Sequence, residues 1–168
     1  MKLNSLQKGI LIALIHVALV CSLGAKLLMD RASRPRVWVK TVPYDPDLPI
    51  RGRYVNMRLE VETRGMQSSK NEWQVEWAHL IADGGKLVAV KNEGYEGAPV
   101  LLDKNSTTHG RLQEPVDYFI PEHAQDPSRV QKGEELWVEV TVPKKGPPRP
   151  IRLGIKRDNG DIKPLDVR

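Results

Sequence analysis

YVNMRLEVE (residues 54–62) sets Val55, Met57, Leu59 and Val61 on one face and Tyr54, Asn56, Arg58, Glu60 and Glu62 on the other. A period of two is the spacing of a β-strand with one buried and one wet face. The same pattern extends in both directions. Upstream, Val37, Val39 and Thr41 alternate with Trp38, Lys40 and Val42, a first strand. Between the two, VPYDPDLPIRG (42–52) holds three prolines, which excludes a central strand or a helix and makes the segment a loop. Downstream, Trp73, Val75, Trp77, His79 and Ile81 share one face of a strand. Asp83-Gly84-Gly85 then supplies a turn, and KLVAV (86–90) returns as the second arm of a hairpin.

The remainder reads the same way. APVLL (98–102) is a strand, DKNSTTH (103–109) a loop, and GRLQEPVDYFI (110–120) a strand broken at Pro115. PEHAQDPSRVQKG (121–133) has room for one short helical turn. ELWVEVTV (135–142) alternates with Leu136, Val138, Val140 and Val142 inward, and KKGPPRP (144–150) is a proline-rich turn. PIRLGIK (150–156) and DIKPL (161–165) flank Asp158-Asn159-Gly160, a strong hairpin signal. Seven to nine short strands must bury their faces against another sheet or by closing on themselves. The expectation is an all-β fold, a small antiparallel barrel or sandwich.

The N-terminus differs from everything after it. GILIALIHVALVCSLGA (9–25) carries no Asp, Glu, Lys or Arg and comes after the basic start MKLNSLQK. Seventeen helical residues span about 26 Å, short of a bilayer core of about 30 Å. Extension to Met29 reaches the required length if Lys26 turns its ammonium toward the headgroups. The expected organisation is a basic tail (1–8), a transmembrane helix (9–29), a linker (30–36) and a β domain (37–168). A cleaved signal peptide is the rival, with Ser22-Leu23-Gly24 as the small residues a peptidase reads, but the run continues into LLM, which favours a retained signal-anchor. Cys21 comes after Val20, too bulky for a lipid-attachment pattern, and reads as a plain apolar-run thiol. Orientation is contested. Lys26, Arg31, Arg34, Arg36 and Lys40 argue for a cytoplasmic domain, whereas a short basic N-terminus before an apolar run directs export of the downstream chain. The expected placement is a single-pass protein of a bacterial inner membrane with a periplasmic β domain.

The net charge is +5, with acids and bases interleaved and no basic face carrying aromatic platforms, so no nucleic-acid partner is expected. The basic stretch beside the helix end suits lipid headgroups. The histidines, His16, His79, His109 and His123, show no metal spacing, and the one cysteine lies in the apolar run, so neither a metal site nor a cofactor is expected.

Two stretches carry a family resemblance. PYDPDLPIRGRYV (43–55) and DYFIPE (117–122) resemble, in that order, the Asp-Pro … Arg-Gly-Asp-Tyr segment and the "YFxPE" segment of GDYXXLXY-domain proteins. Gly52 and Tyr54 keep the naming motif, while Arg53, Met57 and Leu59 stand where the family has Asp, Leu and Tyr. The resemblance covers roughly 36–165 and implies a membrane-anchored bacterial β domain of uncharacterised biochemistry, often associated with multi-pass membrane proteins. The charge reversal at Arg53 removes any role that needed a carboxylate there.

The loop 44–54 is the candidate docking site, with Tyr44, Asp45, Asp47, Arg51, Gly52, Arg53 and Tyr54, and with Tyr118 and Glu122 reaching the same area. The plainer account is a scaffold in which Asp45 and Asp47 bond nearby N–H groups and Arg51 pairs with one of them. Trp73 and Trp77 offer a stacking face for sugar or peptide; core packing is the plainer account. Asn105-Ser106-Thr107 fits a glycosylation sequon. No Gly-x-Ser-x-Gly elbow is present, and residues 42–52 contain no serine at the place where the faintly similar signal-peptidase-type β domains carry one. The leading expectation is a non-catalytic, membrane-tethered domain that docks to a multi-pass membrane protein or membrane complex. The alternatives are a cell-envelope ligand sensor and an enzyme of unknown type.

Overall fold

A computed structural model of the chain describes residues 4–43, 54–66, 68, 73–104, 106, 108–122, 124, 126–127, 129–158 and 160–167. It divides into two units, Met1–Arg34 and Pro35–Arg168. The first unit is one helix, α1 (Ser5–Ser33). Asn4 caps it: the Ser5 N–H donates to Asn4 Oδ1 at 2.8 Å, and Gln7 Oε1 accepts the Asn4 N–H at 3.0 Å. This reciprocal pair satisfies two of the donors that a helix start leaves open. Helix therefore begins before the apolar run and continues through DRAS, so residues 30–33 extend the helix that 9–29 was expected to end.

Ser5–Met29 has mean hydropathy 2.2, and none of its apolar window is buried within the protein. Twenty-five helical residues reach about 37 Å, enough to cross a bilayer core of about 30 Å. Two polar side chains in this stretch bond their own backbone. His16 Nδ1 lies 2.8 Å from the Ile12 carbonyl, and the Ser22 hydroxyl donates to the Leu19 carbonyl at 2.8 Å. Among the described residues there is thus one helix long and apolar enough to span a membrane.

The second unit is all β. Its strands are β1 (Arg36–Pro43), β2 (Tyr54–Arg64), β3 (Gln74–Asp83), β4 (Lys86–Lys91), β5 (Ala98–Leu102), β6 (His109–Leu112), β7 (Val116–Phe119), β8 (Glu134–Thr141), β9 (Arg149–Arg157) and β10 (Lys163–Pro164). Strands β2, β4, β3, β5 and β6 pair in that order, and β6 returns to β2, closing a five-stranded barrel. The remaining order, β10-β9-β8-β1, forms a sheet that joins the barrel through β2. Among the described residues the ten strands exceed the expected seven to nine, because the segment 110–120 splits into β6 and β7 around Pro115. The fold is also not wholly antiparallel: β2 runs parallel to β4, Glu62 opposite Val88. Among the described residues of 121–133 no helix forms, but single turns close from the Ala124 N–H to the Pro121 carbonyl at 3.1 Å and from the Arg129 N–H to the Asp126 carbonyl at 3.3 Å.

β2 is the shared element. Its first half pairs with β1 through Met57–Leu59 and with β7 through Tyr54–Met57. Its second half pairs with β6 through Glu60–Glu62 and with β4 through Glu62–Arg64. Val55, Met57, Leu59, Val61 and Thr63 are all buried, as the alternation requires, and the four apolar ones meet Val37, Val39, Val138 and Val140 in one core. The β3–β4 hairpin turns on Gly84 and Gly85, whose φ values of 57° and 78° suit a two-residue turn that L side chains resist.

The face Trp73/Val75/Trp77/His79/Ile81 points the other way from the plainer expectation of core packing. Ala78 is fully buried, and Leu80 and Ala82 pack against the core, whereas Trp73, Val75 and Ile81 are 49%, 46% and 40% exposed. Trp73, Val75 and Ile81 therefore lie outside the barrel. The closed interior of five strands takes Ala78, Ala89 and Val100 instead of two indoles.

Candidate functional site

The loop residues Tyr44, Asp45, Asp47, Arg51, Gly52 and Arg53 lie outside the described residues. Tyr54 and Tyr118 fall on adjacent strands, β2 and β7, but on opposite faces. Tyr118 stands opposite Val55 and packs on the core. Tyr54 stands opposite Phe119, and the two exposed rings meet edge-on with centroids 5.5 Å apart. Next to them, the Asn56 amide donates to Asp117 Oδ1 at 2.6 Å. Glu122 is exposed beyond Ile120 and Pro121. Phe119, absent from the expected site, is the residue that completes this aromatic pair. The period of two carries the signal, since it places Phe119 with Asp117 and against Tyr118.

Trp73 and Trp77 belong to an apolar stripe on the barrel exterior. Trp77 meets Tyr95 edge-on, centroids 6.4 Å apart, and Tyr95 is 87% exposed. Lys104 Nζ lies 5.8 Å from the Trp73 ring centroid. Register sets Leu101 opposite Val75 and Pro99 opposite Trp77. The stripe thus runs across β3 and β5. Tyr95 sits in the β4–β5 connection, where no periodicity marks it.

A second aromatic face lies on the β10-β9-β8-β1 sheet. Trp38 on β1 and Trp137 on β8 both alternate away from the buried valines. The Arg152 guanidinium stacks 5.3 Å from the Trp38 centroid and bonds Glu139 at 2.6 Å. The Lys156 ammonium stands 5.2 Å from the Trp137 centroid. Gly154 makes room for Trp38, since a Cβ there would lie 2.9 Å from Trp38 Cζ3 and 2.8 Å from Ile162 Cγ2. The Trp137 indole N–H donates to Glu135 at 3.2 Å, and Lys40 grips the same carboxylate at 2.6 Å.

That last pair shifts both partners. The Lys40 hydrogen bond is the main cause holding Glu135 below its ordinary 4.5; burial opposes it, and the Trp137 indole and the charge of Lys156 add to it. The same bond is the main cause raising Lys40 above 10.5, with Glu60 contributing. Glu134 is lowered too, first by the Gln131 N–H and then by Arg157. A depressed carboxylate stabilises the fold above its unfolded value and loses that contribution as pH falls through the folded pKa. A raised lysine stabilises below its unfolded value and loses the contribution as pH rises through the folded pKa. The Lys40–Glu135 contribution is therefore flat from about 4.5 to 10.5. Both side chains are more than a third exposed, so it amounts to about 1 kcal/mol or less. Glu135→Gln is expected to lower the melting temperature slightly across that window. The gap to the parent protein should close in acid, and a gap unchanged well below pH 4.5 would contradict the assignment.

Among the described residues, no group of three or more His, Cys, Asp or Glu side chains gathers to hold a metal ion. His79 and His109 are exposed on the barrel exterior, and His123 lies outside the described residues. Comparison with known proteins returned no matching family model, no matching curated protein and no matching solved structure.

Proposed function

We propose that this chain is a non-catalytic docking module, tethered by α1 to a bacterial inner membrane with its β unit on the periplasmic side. Its partner is a multi-pass membrane protein or membrane complex in the same bilayer. The observation that carries the reading is the stripe of Trp73, Val75, Trp77, Ile81 and Tyr95. A strand face turned to water is ordinarily polar. A run of exposed apolar and aromatic side chains across neighbouring strands has the composition of an interface centre. The exposed Tyr54–Phe119 pair is a second such element, at the end of the loop first singled out for docking. The resemblance to GDYXXLXY-domain proteins supports the same reading. Its two segments lie some sixty residues apart, and the described end of the first meets the second, Tyr54 opposite Phe119 and Val55 opposite Tyr118.

The test is site-specific photocrosslinking from Tyr95 in the full chain in native membranes. The expected product is one discrete adduct to an integral membrane protein, abolished by Val75→Asp. Trp73→Ala should weaken the isolated complex by about tenfold or more, as the loss of an aromatic anchor does. A crosslinking pattern from Tyr95 no different from that of the exposed Lys163, in a Val75→Asp protein with unchanged circular dichroism, would refute docking through this stripe.

A further inference from the structure

Where β2 changes neighbours, a gap opens. β1 flanks β2 as far as the pair Thr41–Leu59, and β4 takes over the same flank from Glu62. The two strands diverge around Val61 and leave a groove of about 390 Å³ with Val39, Val61 and Leu87 on its floor. Trp38 and Trp137 wall it on the sheet side, and Glu60 and His109 stand on the barrel side. We infer that this groove binds a neutral saccharide unit.

Size and chemistry agree on that class. The volume falls at the lower end of small-ligand pockets, about 300–1,000 Å³. Indole surfaces pack well against the C–H faces of a pyranose, and the polar groups beside them offer both acceptors and donors to hydroxyls, which need both. Lys40, Glu62, Lys86 and Asp103 of the groove lining each already face an opposite charge. Lys40 holds Glu135, Lys86 holds Glu62, and Arg111 reaches Asp103 at 3.4 Å. Glu60 stands opposite Arg111 on β6. A charged ligand would meet like charge on this rim, and a polyhydroxyl ligand would not.

The polar and aromatic groups are also held in place. The His109 N–H donates to Ser106 Oγ at 2.9 Å, and the Thr63 N–H donates to the Thr108 carbonyl at 2.9 Å, fixing the start of β6. Glu135 anchors the Trp137 indole. Arg152 and Lys156 hold the two rings from outside the groove lining. Such preorganisation lowers the ordering cost of binding. The site is separate from the β3 stripe, and neither proposal depends on the other.

The test uses the full chain labelled with 5-fluorotryptophan in lipid nanodiscs, since maltoside detergents carry a saccharide headgroup. Maltotriose, cellotriose and triacetylchitotriose are titrated while the ¹⁹F signals of the four tryptophans are monitored. The expected result is a saturable shift at Trp38 and Trp137 with at least one of the three sugars, and none at Trp73 and Trp77. Glu60→Gln and His109→Ala, which alter partly or fully exposed side chains, should each weaken that response by about tenfold, the cost of one hydrogen bond to a charged or well-placed group. No saturable shift with any of the three sugars would overturn the inference. So would a response confined to Trp73 and Trp77, or affinity unchanged in both variants while their unliganded spectra stay dispersed.

Discussion

Leu59→Ala is expected to cost about 2–5 kcal/mol, the range for a fully buried leucine whose cavity cannot collapse. Leu59 has no exposed surface and lies at the middle of β2. Thr41 of β1 stands opposite it, and from Glu60 onward the strand belongs to the barrel. Its side chain therefore sits where both halves of the core meet, and backbone on each side is pinned by ladder hydrogen bonds. Total stability of a domain this size is about 5–15 kcal/mol, so the variant should lose a large share of it. Urea unfolding of the full chain in detergent, monitored by tryptophan fluorescence, reads the effect as a lowered midpoint. Leu59→Met, which nearly conserves volume, should cost less than about 1.5 kcal/mol. Equal midpoints for Leu59→Ala and the parent protein would mean that β2 is not the node of the core.

Gly97→Ala should be comparably damaging for a different reason. Gly97 has φ 118°, and a Cβ there would lie 2.3 Å from the Ala78 carbonyl oxygen and 2.9 Å from its carbon. The obstacle is backbone of β3 and has no rotamer to escape into. The surrounding connection is tied down as well, because the Asn92 N–H donates to the Trp77 carbonyl at 3.0 Å and the Asn92 amide to the Glu96 carbonyl at 2.7 Å. Backbone strain alone costs about 1–3 kcal/mol, and the clash adds to it by displacing β5 from β3. Gly85→Ala is the control: φ is 78°, yet no atom lies within 4 Å of the added carbon, so only the conformational term applies. The unfolding midpoints should fall in the order parent, Gly85→Ala, Gly97→Ala. If the two alanine variants melt together, the close passage of Gly97 over Ala78 is wrong.

The strands are legible in the sequence because each is a local pattern. Val37/Val39/Thr41, Val55 through Val61 and Leu136/Val138/Val140 all face the core as their alternation requires. The Gly84-Gly85 turn is equally local, set by two adjacent residues. The direction in which β3 faces is not legible. Trp73, Val75 and Trp77 form as apolar a face as any in the chain, yet they lie outside. Alternation gives two faces and no sign, and the sign here is set by volume, since a five-stranded barrel closed around Ala78 and Ala89 has no room for indoles. The candidate site is half legible for the same reason. The two segments alone place Tyr54 and Tyr118 near one another, and the β2–β7 pairing then turns Tyr118 inward and brings Phe119 to Tyr54.

By itself the sequence determined an apolar N-terminal helix, an all-β remainder, the strand alternation and the hairpin at Gly84-Gly85. All of these depend on interactions within a few residues or on composition. Only the tertiary structure decided that β2 runs parallel to β4, that five strands close, and that the groove beneath Trp38 and Trp137 exists. These depend on which distant edges pair, Glu62 with Val88 and with His109, or Lys40 with Trp137. Ladder hydrogen bonds are alike for every residue except proline, so no local signal names a partner strand. The choice is made by burying the whole set of inward faces at once.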